Sequence, residues 1–193
     1  KDLSNEVVKS LNSFVDSSHI SIAGHLFSIY EGELVRQNFD SFYDLDHNKF
    51  AILQLNQGLY LGVSADLSWL RELNPEIAFA LIRNRNSYGV TRYPGSFINL
   101  SHNTIALAVI KTEDIFDLAR NLEHLRDLGA EVLIALVNAD CINQVVNNLG
   151  SFNCLENSTM FAGTPDEVKE RLKNHVSNGR LGHDDLVDKA VPA

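Results

Sequence analysis

The segment 44–48, with sequence DLDHN, contains the side chains best suited to bind a metal ion. Asp44, Asp46 and Asn48 match the first three ligand positions of a calcium-binding loop. The sixth position is Lys49, where the loop needs glycine, and the twelfth is Leu55, where it needs a bidentate glutamate. We therefore predict a solvated acidic turn and no metal site.

The remaining candidate catalytic residues are scattered. None of the histidines forms an HxH or HxxxH pair, and no CxxC accompanies them, so a zinc site is not predicted; they are residues 19, 25, 47, 102, 124, 175 and 183. A nucleophile elbow, a phosphate-binding loop and a dinucleotide fingerprint are all missing. Ser64 could act as a nucleophile, but capping the helix that follows is the simpler role. We predict no catalytic residue, no cofactor and no enzymatic activity.

The two cysteines, Cys141 and Cys154, are predicted to be buried free thiols. Unpaired thiols are typical of a reducing compartment, so we expect a cytoplasmic protein.

Composition narrows the classes of partner. The 193 residues are 45% hydrophobic and 21% charged, as in ordinary globular proteins, and the net charge is −9. An acidic chain lacks the basic patch that nucleic acids and anionic membranes require. No apolar run approaches the ~18 residues of a membrane span. Partners with basic or apolar binding segments remain.

The sequence pattern predicts a mixture of helices and strands. Helices are predicted over 4–16, over 66–86 with a break at Pro75 capped by Asn74, from Thr112, and over 165–176 behind a Thr164–Glu167 capping box. Strands are predicted over 19–30, 50–55 and 59–63, with Gly58 in the turn between the last two. A second hairpin is predicted from 96–100 and 104–110 around His102-Asn103.

Residues 131–137, EVLIALV, fit two structures. If Gly129 ends the preceding helix, they form a buried strand, followed by a helix capped by Asp140. If the helix continues through Gly129, at a cost of about 1 kcal/mol, they are helical. The sequence leaves both open.

The fold class predicted is α+β, an antiparallel sheet packed against helices, and the alternative is an α/β three-layer domain with a mainly parallel sheet. Residues 1–150 are expected to form the core domain. Residues 151–193 are expected to form a helical extension that ends in a weakly ordered tail from Ser177.

Aromatic residues mark the predicted partner-binding surface. Phe39, Phe42 and Tyr43 lie in a polar loop, and Tyr60 and Trp69 follow in the next thirty residues. Packed in a satellite core, they would hold the loop in place. Exposed, they would bind another chain.

The order of elements, best at 73–86, 96–110 and from 113, resembles that of the type III secretion chaperones. The resemblance implies a non-enzymatic chaperone or adaptor that holds client segments for a bacterial secretion system. It also implies a homodimer or a heteromeric complex. The alternatives are a regulatory α/β binding domain of the anti-sigma-antagonist type and a small-molecule enzyme without a recognisable motif.

Overall fold

A computed structural model describes residues 2–13, 18–155 and 163–177. Throughout these residues the chain is all-α and contains no β-sheet, so both the predicted α+β class and its α/β alternative are wrong. The helices are α1 (Asp2–Lys9), α2 (His19–Ser28), α3 (Gly32–Gln37), α4 (His47–Asn56), α5 (Tyr60–Asp66), α6 (Pro75–Arg83), α7 (Ser87–Arg92), α8 (His102–Lys111), α9 (Ile115–Arg120), α10 (Ala130–Asn138), α11 (Ile142–Asn147) and α12 (Pro165–Ser177).

Helices α2 to α11 are five consecutive copies of one helix–turn–helix repeat. Each copy has a first helix of 9 or 10 residues and a second helix of 6 or 7 residues. A connector, usually with a 3-10 turn, leads to the next copy. The repeats are 18–45, 46–73, 74–100, 101–128 and 129–155. Periods of 20–50 residues are typical of helical repeat proteins.

The turn inside every repeat has the same backbone conformation. The second residue after each first helix has a left-handed φ of +57° to +72°, and these residues are Tyr30, Gly58, Arg85, Glu113 and Asp140. Such a residue ends a helix by redirecting the chain. Gly58 is the only glycine among the five, as predicted for its turn, and the others accept about 1 kcal/mol of Cβ strain.

The chain divides into two compact units. Unit 1 comprises residues 1–86 and 95–99, and unit 2 comprises residues 87–94 and 100–193. The boundary predicted at residue 150 falls inside unit 2. Each unit has its own buried apolar core, with Leu67 and Leu81 fully buried in unit 1 and Leu118 and Leu136 in unit 2.

In unit 1, the first turn of α4 is tied to the connector after α5. His47 Nδ1 accepts a hydrogen bond from Arg71 N (3.0 Å), and Asn48 Oδ1 accepts one from Asn74 N (2.7 Å). Leu73 pairs with Phe97 in an isolated parallel bridge, and Ser96 Oγ donates to Leu67 O (2.7 Å). These bonds satisfy backbone groups that lie outside the helices.

Unit 2 contains the same ties in the same register. His102 Nδ1 accepts from Arg126 N (3.1 Å), and Asn103 Oδ1 accepts from Gly129 N (2.8 Å). Leu128 pairs with Phe152, and Ser151 Oγ donates to Leu122 O (2.9 Å). Every one of these residues lies 55 positions after its counterpart in unit 1. We therefore call 46–100 and 101–155 the first and second doublet.

The strands predicted at 19–30, 50–55 and 59–63 are helices α2, α4 and α5. The buried residues of α2 are His19, Ala23, Leu26 and Phe27. Spacings of four, three and one residues place these side chains on one helical face.

The hairpin predicted at 96–110 is also wrong. Ser101 is the N-cap of α8, and its Oγ accepts a hydrogen bond from Thr104 N (3.1 Å). His102 and Asn103 do not form a hairpin tip. They lie in the first turn of α8 and accept hydrogen bonds from the connector after α9. Thr112 is the C-cap of α8 and does not begin the next helix.

Residues 131–137 belong to helix α10, which begins after Gly129 as N-cap. The strand alternative is therefore wrong, but the helix does not continue from the preceding one, because α9 ends at Arg120. Asp140 takes the left-handed turn position, and the N-cap of α11 is Cys141. An all-helical chain with these boundaries does not have the secretion-chaperone fold, so the resemblance is wrong.

Three local predictions are confirmed. Helix α6 begins at Pro75 with Asn74 at the N-cap position, and α12 begins at Pro165. Thr164 N donates to Glu167 Oε2 (2.8 Å), and Glu167 N donates to Thr164 Oγ1 (3.4 Å), which completes the capping box. The Thr164 N–H also lowers the pKa of Glu167. The helix predicted at 4–16 is shorter: α1 ends at Lys9, and a 3-10 turn over Leu11–Ser13 follows. Residues 14–17 and the tail beyond Ser177 lie outside the described residues.

Candidate partner-binding site

The structure separates the five aromatic residues predicted to bind a partner. Phe42 is 2% exposed and belongs to the core, so it cannot act as a surface anchor. Tyr43 is 69% exposed, and its ring packs against His19 with the centroids 4.2 Å apart. Tyr60 lines a separate groove with Ile52 and Ile77.

Phe39 and Trp69 do lie together. Their ring centroids are 5.4 Å apart, and each packs edge-on against Phe50, at 5.5 Å and 5.3 Å. His47 contacts both Phe39 and Trp69. This half-buried aromatic cluster joins the first two repeats in unit 1, so it is a satellite core with one partly exposed edge.

A buried carboxylate lies beneath Trp69. Asp66 Oδ1 forms an ion pair with Arg36 Nε (2.7 Å) and accepts a hydrogen bond from Trp69 Nε1 (3.1 Å), and its Oδ2 accepts one from Gln54 Nε2 (3.1 Å). Asp66 is 5% exposed, whereas the Arg36 side chain is 46% exposed. A carboxylate with one charged and two neutral donors is well satisfied although it is buried.

A pocket of about 410 Å³ opens beside this network. Its walls combine apolar side chains with the charged groups of Glu33, Arg36 and Asp66; the other lining residues are Phe27, Tyr30, Gly32, Phe50, Gln54, Leu59, Gly62 and Ala65. Several of these, including Glu33 and Ala65, are exposed. The pocket is thus a surface depression rather than a closed cavity.

Two glycines line the pocket where neighbouring side chains leave no room for a Cβ. Gly32 is the first residue of α3, and a Cβ at this position would collide with the Phe27 ring. Gly62 lies within α5, and a Cβ there would be 2.7 Å from Gln54 Oε1. Because glycine costs a helix interior about 1 kcal/mol relative to alanine, the close approach of Gln54 to Gly62 has an energetic cost.

The equivalent place in unit 2 is occupied. Ser87 corresponds to Gly32 two repeats earlier, and Asp117 corresponds to Gly62 one doublet earlier. Ser87 is fully buried, and its Oγ lies 3.0 Å from Asp117 Oδ2 and 3.1 Å from Asp114 Oδ2.

The counterpart of Asp66 in unit 2 is Asn121, whose Nδ2 donates to Thr91 Oγ1 (2.9 Å). Thr91 corresponds to Arg36 two repeats earlier. The same positions therefore carry an ion pair in unit 1 and a neutral hydrogen bond in unit 2.

The other candidate chemical residues have structural roles. Asp46 N-caps α4, and Asp44 accepts from Ser18 Oγ and Ile20 N. Ser64 is buried within α5 rather than capping a helix. No group of three or more His, Cys, Asp or Glu side chains suited to a metal occurs in residues 2–13, 18–155 or 163–177.

Both cysteines are free; Cys141 is buried and Cys154 is half-buried. Burial raises the pKa of both thiols, which disfavours the reactive thiolate. In the described part of the chain, no helix is long and apolar enough to cross a membrane.

The sequence-based prediction named Trp69 and Phe39 but missed Arg36, Gln54 and Asp66. These three come from different helices, and no motif links them. The internal repeat could have identified Asp66. Aligning residues 55 positions apart would show an acidic residue, Asp66, where the second copy has the neutral Asn121.

No known protein family, curated protein or solved structure matches this chain at a significant level.

Proposed function

We propose that this chain is a non-enzymatic adaptor that binds a segment of a partner protein in the pocket of unit 1. The observation that carries the proposal is the contrast between equivalent repeat interfaces. Gly32 and Gly62, which have no side chains, line the pocket beside Arg36 and Asp66, whereas the corresponding positions in unit 2 carry Ser87 and Asp117, which are hydrogen-bonded to each other.

The surroundings favour a macromolecular partner over a small molecule. Small-molecule sites usually enclose most of the ligand surface, whereas exposed residues border this depression. Tyr30 at its rim is 93% exposed, and Leu61 on the neighbouring helix α5 is 77% exposed. Most of the large apolar side chains that are exposed in the described residues belong to unit 1. Such surfaces commonly bind protein partners.

The proposal keeps the predicted protein client and omits the secretion system. The link to secretion depended on the chaperone resemblance, which the all-helical fold contradicts.

The test is to cover the pocket with one side chain. Ala65 is an exposed lining residue of α5, and its counterpart in unit 2 is Arg120. Ala65→Arg should therefore be compatible with the helix while it places a long side chain over the opening. Gln57→Arg is the matched control, because Gln57 is exposed, lies outside the pocket lining, and receives the same added charge.

Peptides would be selected from a random phage-display library on the wild-type protein. We expect them to bind Ala65→Arg at least about tenfold more weakly, equivalent to about 1.4 kcal/mol, and Gln57→Arg within about twofold of wild type. Thermal melts would verify that both variants are folded. Failure to select any peptide, or equal binding to Ala65→Arg and wild type, would contradict the proposal.

A further inference from the structure

We infer that the pocket of unit 1 binds a basic side chain, lysine or arginine, of the partner segment. This inference rests on the proposed function and adds the chemistry of the residue that occupies the pocket.

Hydrogen-bond acceptors outnumber available donors in the pocket. The Gln54 amide nitrogen must face Asp66, because a carboxylate only accepts hydrogen bonds, so Gln54 Oε1 points the other way. Gln54 is 4% exposed, and its Oε1 has no hydrogen-bond donor in the described residues. This oxygen lies against Gly62, where a Cβ would be 2.7 Å from it. An acceptor without a protein donor is available to a hydrogen-bond donor of a ligand.

The two carboxylates add further acceptor capacity. Asp66 Oδ2 accepts one hydrogen bond, from Gln54, and a carboxylate oxygen can accept two. Glu33 Oε1 accepts from Arg36 Nη1 (3.3 Å) and Gln37 Nε2 (3.0 Å), and the Glu33 side chain is 60% exposed. An ammonium or guanidinium supplies three to five donors and would fit this set of oxygens.

The charges of the lining residues favour a cation. Glu33 and Asp66 are acidic and Arg36 is basic, so the pocket carries one net negative charge. Arg36 already pairs with both acids, through Nε to Asp66 and Nη1 to Glu33. An anionic ligand would have to compete with these carboxylates for Arg36. The net charge of −9 on the whole chain acts in the same direction.

The apolar walls suit the stem of such a side chain. Lysine and arginine bury their methylene groups along apolar surface while the charged end reaches polar groups. Phe27, Phe50 and Leu59 provide that surface, and the exposed Tyr30 ring at the rim can contact a cation through its face.

The experiment uses the peptides selected on the wild-type protein. We expect them to share a lysine or arginine at one fixed position. Replacing it with norleucine or citrulline, which remove the charge and keep the stem, should weaken binding about tenfold or more, as for the loss of a charged hydrogen bond. Selected peptides that bind the pocket without a basic residue would overturn the inference and leave the proposed function standing.

Variants of the protein locate the charge. Asp66→Asn should weaken binding of the basic peptide about tenfold or more, and Glu33→Gln up to about fivefold, because exposed ion pairs contribute less. Asp40→Asn is the control. The substitution removes the same charge, and Asp40 is exposed and lies outside the pocket lining. Equal losses for Asp40→Asn and Asp66→Asn would overturn the inference, since they would indicate only general attraction. Spermidine that binds as well as the basic peptide would also overturn it, in favour of a free polyamine ligand.

Discussion

Unit 1 and unit 2 solve the same packing problem with different side chains. Between repeats in unit 1, the buried position of α5 carries Asp66, which pairs with Arg36. In unit 2 the corresponding position, directly after α9, carries Asn121, which bonds to Thr91. Both backbones adopt the same helix–turn–helix form with the same connector ties. The ion pair is therefore not needed to hold two repeats together.

Charge at this position therefore calls for another explanation. Desolvating an ion pair is expensive, and replacing it with neutral groups is often neutral or stabilising. Asp66 and its partner Gln54 line a pocket, whereas Asn121 is 1% exposed next to the hydrogen-bonded pair of Ser87 and Asp117. The difference is what a binding site in unit 1 and a purely structural interface in unit 2 would produce.

The largest effect is expected from Asp66→Ala. It leaves Arg36, Gln54 and Trp69 without the carboxylate that they contact. The free energy of unfolding of unit 1 should fall by about 3 kcal/mol. This value is at the low end for a buried ion pair, because Arg36 is half exposed. Asn121→Ala removes neutral bonds and should cost unit 2 about 1–2 kcal/mol. Trp69, the only tryptophan, reports on unit 1 in urea titrations, and amide hydrogen exchange reports on unit 2.

The double variant Arg36→Thr, Asp66→Asn transfers the unit 2 pair into unit 1. We expect its stability to lie within about 1 kcal/mol of wild type. If the double variant is as unstable as Asp66→Ala, the ion pair is structural, and the comparison between the units no longer supports a binding role.

The connector ties should respond equally in the two units. Ser96→Ala and Ser151→Ala each leave a buried carbonyl, that of Leu67 or Leu122, without its hydroxyl donor. Each should cost its own unit about 1–2 kcal/mol. Faster exchange of the Leu73 amide in the first variant and of the Leu128 amide in the second would check this, since these amides donate to the carbonyls of Ser96 and Ser151. Unequal losses of stability would show that the two doublets differ energetically although their hydrogen bonds are the same.

A smaller difference is expected at the left-handed turns. Gly58→Ala should destabilise unit 1 by about 1 kcal/mol, because φ is +72° and a Cβ is disfavoured there. Glu113→Ala, at the equivalent turn of unit 2, should change stability by less than about 0.5 kcal/mol, since Glu113 already carries a Cβ at φ +64°. Similar costs at both sites, measured by urea titration and hydrogen exchange, would argue against backbone strain as the cause.

The smallest effect is expected from pH. Burial, with a further contribution from Arg126, lowers the pKa of His102 below 6.5, opposed by Asp127. The folded state thus prefers neutral His102, whose Nδ1 accepts from Arg126 N. This contribution to stability is complete above pH 6.5 and is lost as pH falls through the lowered pKa of the folded state. Unit 2 of the wild type should lose protection from hydrogen exchange in this window, and His102→Gln should lose less. An identical pH response of both proteins would exclude this role for His102.

The sequence predicted local features well where one or two residues determine them. Pro75 after Asn74, the Thr164–Glu167 capping box and Gly58 act through their own backbone chemistry, so neighbouring structure could not override them. Secondary structure failed at α2, α4 and α8, which have 10 residues each, and at the shorter α5. Each has fewer than three full turns, which is too few residues to establish a 3.6-residue period.

The repeat itself escaped prediction because its clearest residue pair recurs only after two copies. His47-Asn48 has its match in His102-Asn103, two repeats later, whereas the repeats that start at Asn74 and Gly129 lack the pair. At the site, the aromatic residues could be predicted because aromatic side chains are common in partner-binding surfaces. Arg36, Gln54 and Asp66 did not, because only the folded repeat brings them within hydrogen-bond distance.

The connector ties also have a consequence for how such a chain can change in length. His47-Asn48 and His102-Asn103 each bind the connector that leads into the following repeat, and both ends of each tie lie within one doublet. The repeat 18–45 has a tie of its own, since His19 Nδ1 accepts from Tyr43 N (3.3 Å). Deleting or duplicating a doublet of 55 residues would therefore preserve every tie. Engineered variants of different length are best built in increments of 55 residues.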